Sequence, residues 1–462
     1  MNREFRVGSI ALDASEKNTQ DAVAAHAVNM SFSAMGLDPR ILRSIQEAGY
    51  TEPTPIQSAA IPQVLAGHDL IGIAQTGTGK TAAFTLPILT RLAASAPTRH
   101  GVRVLIIAPT RELVVQIEEN ARAYAKHMQL RIATVMGGVS ERPQIKALRE
   151  GADVLIATPG RLLDLMGQRY GDFSGLQFLV LDEADRMLDM GFLPSIRNIV
   201  RALPTQRQTL LFSASFSKEI EALTHQFQRA PKVVQIGKRA NPPETVKQTV
   251  YEVPQHLKIN LLVHLLRDPS LDTVLVFSRT KHGADKVARK LEQQGTRTAT
   301  LHANRSQNQR TRALNDFKSG AVRVLVATDI AARGIDVEGI SHVVNYDFPM
   351  HAEDYVHRIG RTGRARALGD AISFASPEDQ SAVRSLERFI GKGLARKRAE
   401  GFDDRAPAPA ALKPAGVHGA RGYGNRQTGG LPHKGATLEH PCTPTSRSMM
   451  PKKPLVKYFR GN

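Results

Sequence analysis

Short apolar runs alternate with amphipathic stretches along most of this chain. In the first half the runs fall at residues 70–73, 104–108, 154–157, 178–181 and 209–212. Each is continuous rather than alternating, as expected of parallel strands covered on both faces. The segments between them have helical period. Leu113, Ile117, Ala121, Tyr124 and Met128 share one face that would cover a sheet. A second series follows at 273–277, 322–327, 342–346 and 371–374, after a stretch at 237–244 that carries Pro242-Pro243 and reads as a linker. The pattern predicts an α/β protein with two tandem doubly wound domains, at 31–236 and 245–391, each built on a parallel sheet. Residues 1–30 are polar and Ala-rich and read as a loose extension. Residues 392–462, rich in Ala, Pro, Gly, Arg and Lys, read as a disordered tail.

Composition narrows the function classes. The 462 residues are 41% hydrophobic and 23% charged, which suits a soluble globular protein. No run of 18 apolar residues is present, so no membrane span is expected. Cys442 is the single cysteine, which rules out an intrachain disulfide and fits a reducing cytoplasm. The net charge of +19 calls for a polyanionic partner. Residues 391–462 carry 14 Lys/Arg against 4 Asp/Glu, so much of that charge sits in the tail.

The chemistry starts at Ala74-Gln75-Thr76-Gly77-Thr78-Gly79-Lys80-Thr81. A short apolar strand precedes this segment and a helical one follows it. That is the setting of a phosphate-binding loop: glycines turn backbone N–H groups inward, Lys80 supplies a charge for the outer phosphates, and the Thr81 hydroxyl can bind Mg²⁺. Ala74 stands where the general pattern has glycine. Asp182-Glu183-Ala184-Asp185 ends the buried run at 178–181, and open α/β sheets bind ligands at such strand ends. Asp182 would hold Mg²⁺ largely through water, and Glu183 would orient and deprotonate the attacking water.

At Asp182–Asp185 the chain resembles the DEAD-box family of ATP-dependent RNA helicases, and the resemblance extends from Phe32 to Gly391. It implies two RecA-like domains, ATP and Mg²⁺ as cofactors, and RNA as partner. Gly49-Tyr50-Thr51-Glu52-Pro53-Thr54-Pro55-Ile56-Gln57 is similar to the family's adenine-reading segment, placed here at 31–59. The resemblance gives Gln57 the adenine edge and Tyr50 the base face, with Phe32 as the upstream aromatic. Pro109-Thr110-Arg111-Glu112-Leu113, Gly137-Gly138 and Thr158-Pro159-Gly160-Arg161 resemble its RNA-contacting motifs. Ser213-Ala214-Ser215 stands where the family usually has Ser-Ala-Thr, and the link from its hydroxyls to Asp185 is expected to survive. In the second half the resemblance assigns Arg279, Arg310, Thr328 and Arg333 to RNA, Asp336 to the ATP ribose and His357 to coupling. Arg361 and Arg364 become arginine fingers. The Ser306-Gln307-Asn308-Gln309-Arg310 segment and the basic tail are most like the bacterial RhlE type.

The second half lacks a Gly-Lys-Thr ending; its first apolar strand, at 273–277, runs into Ser278-Arg279-Thr280-Lys281-His282-Gly283. One ATP per chain is therefore expected, hydrolysed when the second domain brings its arginines over the cleft. The resemblance implies local separation of short RNA duplexes or remodelling of RNA–protein complexes, with ribosomal particles or the RNA-decay machinery as possible settings. Two other readings share most of these motifs: an ATP-gated RNA clamp with little unwinding, and a DNA helicase or translocase.

Overall fold

The structure, a computed structural model, describes residues 30–75, 77–95, 101–236, 245–332, 337, 339–363 and 368–407. The first extension, the linker at 237–244 and the chain beyond 407 lie outside these residues. Two seven-stranded sheets organise the fold. The first comprises β1 (Leu70–Ile73), β2 (Val104–Ile107), β3 (Ile132–Val135), β4 (Val154–Ala157), β5 (Phe178–Leu181), β6 (Gln208–Ser213) and β7 (Lys232–Gln235). Its spatial order is β3-β4-β2-β5-β6-β1-β7.

The second sheet comprises β8 (Val246–Glu252), β9 (Val274–Phe277), β10 (Thr298–Leu301), β11 (Val324–Ala327), β12 (His342–Asn345), β13 (Gly369–Ala375) and β14 (Ala395–Lys397). Its order is β10-β11-β9-β12-β13-β8-β14. All pairings are parallel. The two orders are one permutation, in which β1 corresponds to β8, β2 to β9, β5 to β12 and β6 to β13.

Period two along each strand feeds two cores. Val104 and Ile106 join the core beneath the Lys80–Ala94 and Arg111–Tyr124 helices, while Leu105 and Ile107 join the one on the opposite face. The central strands are buried on both faces, and the apolar runs found them. The strands that the runs missed are β3, β7, β8, β10 and β14. β3, β7, β10 and β14 lie at sheet edges, where one side chain in two or more faces water and the sequence carries less apolar signal. β8 is interrupted by Lys247, Gln248 and Thr249 and so shows no apolar run.

The disorder expected from residue 392 does not begin there. Ala395–Lys397 adds to β8 as an edge strand, and Leu394 is buried. Ala399, Phe402 and Ala406 pack against the second domain's core. The Phe402 ring lies 5.6 Å from that of His264, and Nε2 of His264 and of His256 each stand 2.9 Å from a carbonyl of this strap, Glu400 and Ala406. A composition average missed this because four well-placed apolar side chains and a free sheet edge are enough to fix a short segment.

Candidate functional site

Strand β1 delivers the chain into the phosphate-binding loop at its C-terminal end. Gly79 has φ +90°, and a Cβ there would overlap the Gln57 amide, so only glycine fits between loop and helix. Lys80 opens the Lys80–Ala94 helix, is 6% exposed, and donates from Nζ to the Ala74 carbonyl at 2.8 Å. The Thr78 hydroxyl donates to the Gln75 carbonyl at 2.8 Å. Thr76 lies outside the described residues, while Gly77 and Thr81 complete the loop.

Gln57 is buried at the start of the Pro55–Leu65 helix. Thr54 caps that helix, and Gln57 Oε1 accepts from the Thr54 N–H at 2.8 Å. Its Nε2 donates to the Gly79 carbonyl at 3.2 Å, which ties this glutamine to the loop. Tyr50 is half-buried and hydrogen-bonds through its hydroxyl to that of Tyr124 at 2.8 Å. Phe32 lies in the core and meets the Tyr50 ring edge-on at 6.3 Å. It therefore backs the tyrosine from within.

At the end of β5, Asp182 is almost fully buried. Burial pushes its carboxyl up to about 7, against the pull of the Lys80 charge and with a further push from Glu183 and Asp185. Glu183 adopts φ 52°, ψ 51°, a left-handed conformation rare outside glycine and common at functional sites. Its Oε2 lies 3.5 Å from Nη1 of Arg186, and both atoms are buried with no hydrogen-bond partner among the described residues. Asp185 reaches the end of β6: its Oδ2 accepts from the N–H groups of Ala214 and Ser215 at 3.0 Å and from the Ser215 hydroxyl at 3.4 Å. The Asp185 N–H donates to Ser213 Oγ at 3.4 Å. Serine in place of threonine thus leaves this link in place.

The second half closes the cleft with the Ala352–Ile359 helix. A small pocket has Arg186 on one side and Asp354, His357, Arg358 and Arg361 on the other. His357 is buried, and its imidazole is held well below its ordinary value, first by burial and then by the Arg186 and Arg361 charges. Glu183 and Lys80 also act on it, so residues from both halves share one electrostatic environment. Arg361 is 3% exposed and donates from Nε to the His357 carbonyl at 3.3 Å. Arg358 is held by Asp329 at 2.6 and 2.7 Å, by Asn345 and by the Asp347 carbonyl, with its guanidinium 5.1 Å from the centre of the Phe277 ring. Arg364, Arg333 and Asp336 lie outside the described residues.

The residues assigned to RNA gather at strand ends and helix starts. Thr110 caps the Arg111–Tyr124 helix, accepting from the Leu113 N–H at 3.3 Å, and Pro109 precedes it. Thr158 precedes the Pro159–Gly167 helix, which also holds Gly160 and Arg161. Gly138 has φ +78°, and a Cβ there would overlap the Arg111 guanidinium. Arg279 is exposed, bonded to the Phe348 carbonyl at 3.3 Å. Thr328 follows β11, where its carbonyl accepts from Ala331 and Ala332.

Arg310 departs from its assignment. It does not stand free for a phosphate but pairs with buried Glu112 of the first half, at 2.9 Å from Nε and 2.8 Å from Nη2. Gln307 joins from Nε2 to Glu112 at 3.3 Å and accepts from Arg111 at 3.4 Å. The sequence reading did not single out Glu112, Gln307, Arg186 or Arg358. The first two lie inside the quoted motifs, and Arg186 directly follows the acidic one. A lone charge on a predicted helix reads as solvated surface until the partner is known.

Two family models match the chain: one described as DEAD/DEAH box helicase over residues 54–223, one as helicase conserved C-terminal domain over residues 257–366. Among curated relatives, the DEAD-box ATP-dependent RNA helicase 20 of Arabidopsis thaliana is 41% identical over 406 residues, covering 86% of this chain and 80% of the relative. The DEAD-box ATP-dependent RNA helicase 30 of the same plant is 44% identical over 365 residues, which is 78% of this chain but 61% of that protein. Among solved structures, Saccharomyces cerevisiae Dbp5 bound to RNA and ADP BeF3 matches with a TM-score of 0.74 at 30% identity, over 79% of this chain and 95% of that one. With two family models matched and a relative 41% identical over 80% of its own length, the chain belongs to the DEAD-box family of ATP-dependent RNA helicases.

Proposed function

We propose that this chain hydrolyses one ATP per cycle in the cleft between its two halves, and that RNA gripped across both halves drives the closure that completes the site. The observation that carries the reading is the shared environment of Lys80, Glu183 and Arg186 from one half with His357 and Arg361 from the other. Gln57 and Tyr50 would hold the adenine, with Asp336 at the ribose. The loop from Ala74 to Thr81 would cradle the phosphates. Glu183 orients the attacking water and takes its proton; a buried carboxylate oxygen that accepts no hydrogen bond among the described residues suits that role. Arg361 and Arg364 neutralise the charge that develops on the transferred phosphoryl group.

The donor set also fits Mg²⁺. No group of three or more His, Cys, Asp or Glu among the described residues could hold a metal alone. A single buried carboxylate beside a hydroxyl suits an ion that takes most of its ligands from phosphate and water. Asp182 and Thr81 would hold it, and when bound it would offset the charge on the outer phosphates. The buried Asp182 carboxyl, raised by desolvation, gains most from such a charge.

Coupling to RNA follows from the geometry. Asp185 joins the acidic strand end to Ser213 and Ser215, and the neutral His357 imidazole packs where the halves meet. Thr110, Arg111, Gly138, Thr158, Arg161, Arg279, Thr328 and Arg333 would form the sugar–phosphate track, with helix starts turned toward the strand. Contacts of this kind read backbone rather than sequence. We assign the chain to the RhlE type on the Ser306–Arg310 segment and the basic tail, acting in the cytoplasm on ribosomal particles or decaying messenger RNA. Among the described residues no helix is long and apolar enough to cross a membrane.

The deciding experiment is a Glu183→Gln variant assayed for ATP binding, RNA-stimulated phosphate release and strand displacement. It should bind ATP and RNA together and release little phosphate; release at the unmodified rate would end this reading. A clamp with little unwinding would use the same residues, the Glu112–Arg310 pair that joins the two halves among them. Strand displacement by the unmodified protein separates the two.

A further inference from the structure

We propose that the exposed face of the Gln380–Ile390 helix, continued by Lys392, is an auxiliary site for the sugar–phosphate backbone of single-stranded RNA. It lies apart from the track across the strand ends. Arg384, Arg388 and Lys392 recur every four residues and are all exposed. Along the helix that spacing stacks Arg384 and Arg388 on one side, about 6 Å apart in rise, and Lys392, just past the helix end, lines one shallow depression with them. None of the three makes an ion pair with the described residues. Elsewhere on this surface, cations with a carboxylate four residues away use it: Arg43 with Glu47, Arg122 with Glu118, Lys146 with Glu150 and Arg312 with Asp316.

The one nearby carboxylate on the helix, Glu387, lines the same depression as the three cations but is bonded elsewhere. Glu387 accepts from the Leu394 N–H at 2.9 Å and from Arg396 at 3.1 Å, and Arg396 also holds Glu252. These contacts keep the Glu387 carboxyl below its ordinary value, the Leu394 N–H most of all. Glu387 is therefore satisfied without an ion pair to the stripe of Arg384, Arg388 and Lys392. Phe389 is 39% exposed beside it, an aromatic face of the kind on which bases stack. Gly391, at φ +72°, ends the helix, and with Gly393 it leaves a shallow open depression lined also by Arg384, Arg388 and Lys392.

Position sets the length of RNA needed. The helix begins beside Asp379, which lies 3.9 Å from Arg279 of the proposed track. From there it runs about 16 Å toward the other end of the sheet. A short strand fills the track alone, and a longer one can reach the stripe as well. RNA is favoured over an acidic protein or an anionic membrane because three unpaired cations beside a single aromatic suit a phosphate backbone. The flanking residues offer no broad apolar surface for either alternative. The inference rests on RNA being the substrate, and binding of the short strand tests that separately.

The test uses the full chain, with Arg384, Arg388 and Lys392 changed together to Glu and, as a second variant, together to Ala. Fluorescence anisotropy would follow binding of oligouridylates of about 8 and about 24 nucleotides over a range of salt. Both variants should bind the long RNA about 10-fold more weakly, or worse for Glu, and the slope of log K against log salt should fall by about 2, at ~0.7 per phosphate lost. The short RNA, and the ATPase it stimulates, should be unchanged. Phe389→Ala should weaken the long RNA by about 5-fold without changing the slope. Unchanged long-RNA affinity overturns the proposal. So does an equal loss on both lengths, as does capture of anionic vesicles or an acidic protein through the stripe with RNA binding unmoved. Loss of short-RNA binding by the unmodified chain would instead overturn the substrate.

Discussion

The two sheets share one strand permutation, yet only the first strand of the first sheet runs into a Gly-Lys-Thr loop. Superposing the permutations pairs β1 with β8 and sets Lys80 against Lys258, each the first residue of the helix that follows. Lys80 touches only a backbone carbonyl and keeps its charge for a phosphate. Lys258 is equally buried but bound to Asp379 at 3.2 Å, so its charge is already matched. The register likewise sets Glu183 against Asp347, whose carboxylate is taken by the Ser278 hydroxyl at 3.0 Å and the Arg279 N–H at 2.8 Å. β1 ends in a glycine loop with N–H groups to offer, whereas β8 ends in Val253-Pro254, where proline has none. The two halves of a shared fold thus differ in whether corresponding charged groups are left available or internally matched. Thr110 and Thr280, at the ends of β2 and β9, have kept the same geometry, φ −127° with ψ 154° and 152°. Both cap the helices that follow, each hydroxyl accepting from the N–H three residues on.

The comparison breaks first at the arginine. Arg361→Ala should lower RNA-stimulated ATPase by ~10³-fold or more while nucleotide binding to the isolated complex persists. Steady-state turnover beside fluorescent-nucleotide titration would show it. Glu183→Gln should lower turnover by ~10²–10⁴-fold, and Lys80→Ala should instead lose nucleotide affinity. If the change at Lys80 spared binding, the contrast between Lys80 and Lys258 would lose its meaning.

The next effect concerns how the halves communicate. Glu112→Gln should reduce the mutual enhancement of ATP and RNA binding by about 10-fold and leave each ligand's separate binding near normal. Paired titrations, each ligand with and without the other, measure it. In the non-catalytic half, Lys258→Met should cost about 3 kcal/mol of stability in denaturant unfolding, because Asp379 is left without its partner. One ATP per chain should still bind.

The smallest effect is one of pH. Burial pushes the Asp379 carboxyl up, but the Ser376 and Lys258 contacts outweigh it and leave it below its ordinary value. Its contribution to folding is therefore full above the unfolded value of about 4 and is lost as pH falls below it. Acid unfolding of Asp379→Asn should show a shallower pH dependence below about pH 4. The same curve in both proteins would detach the carboxylate from the second half's stability.

The residues explain what could be read in advance. Lys80, Thr81, Asp182 and Glu183 announce themselves because a phosphate loop and a strand-end carboxylate are local: the glycines, the strand before and the helix after are all neighbours in the chain. The central strands are equally legible, since burial on both faces demands unbroken apolar runs. Edge strands such as β3 and β7 carry no such demand. The strap from Leu394 to Ala406 was hidden because its fixing contacts, to β8 and His264, lie more than a hundred residues upstream.

By itself, then, the sequence determined that there are two α/β halves, that one of them carries a phosphate-loop motif, and that a strand of the same half ends in Asp182 and Glu183. Tertiary structure alone decided that β8, and not β9 as the order of apolar runs suggested, is the counterpart of the ATP-binding strand. It also decided that Arg310 answers Glu112 and that Arg186 lines the other half's pocket. The reason is geometric. A parallel sheet orders its strands by crossover connections rather than by sequence, so a charge's partner, and with it the charge's role, is fixed only when the distant strands assemble.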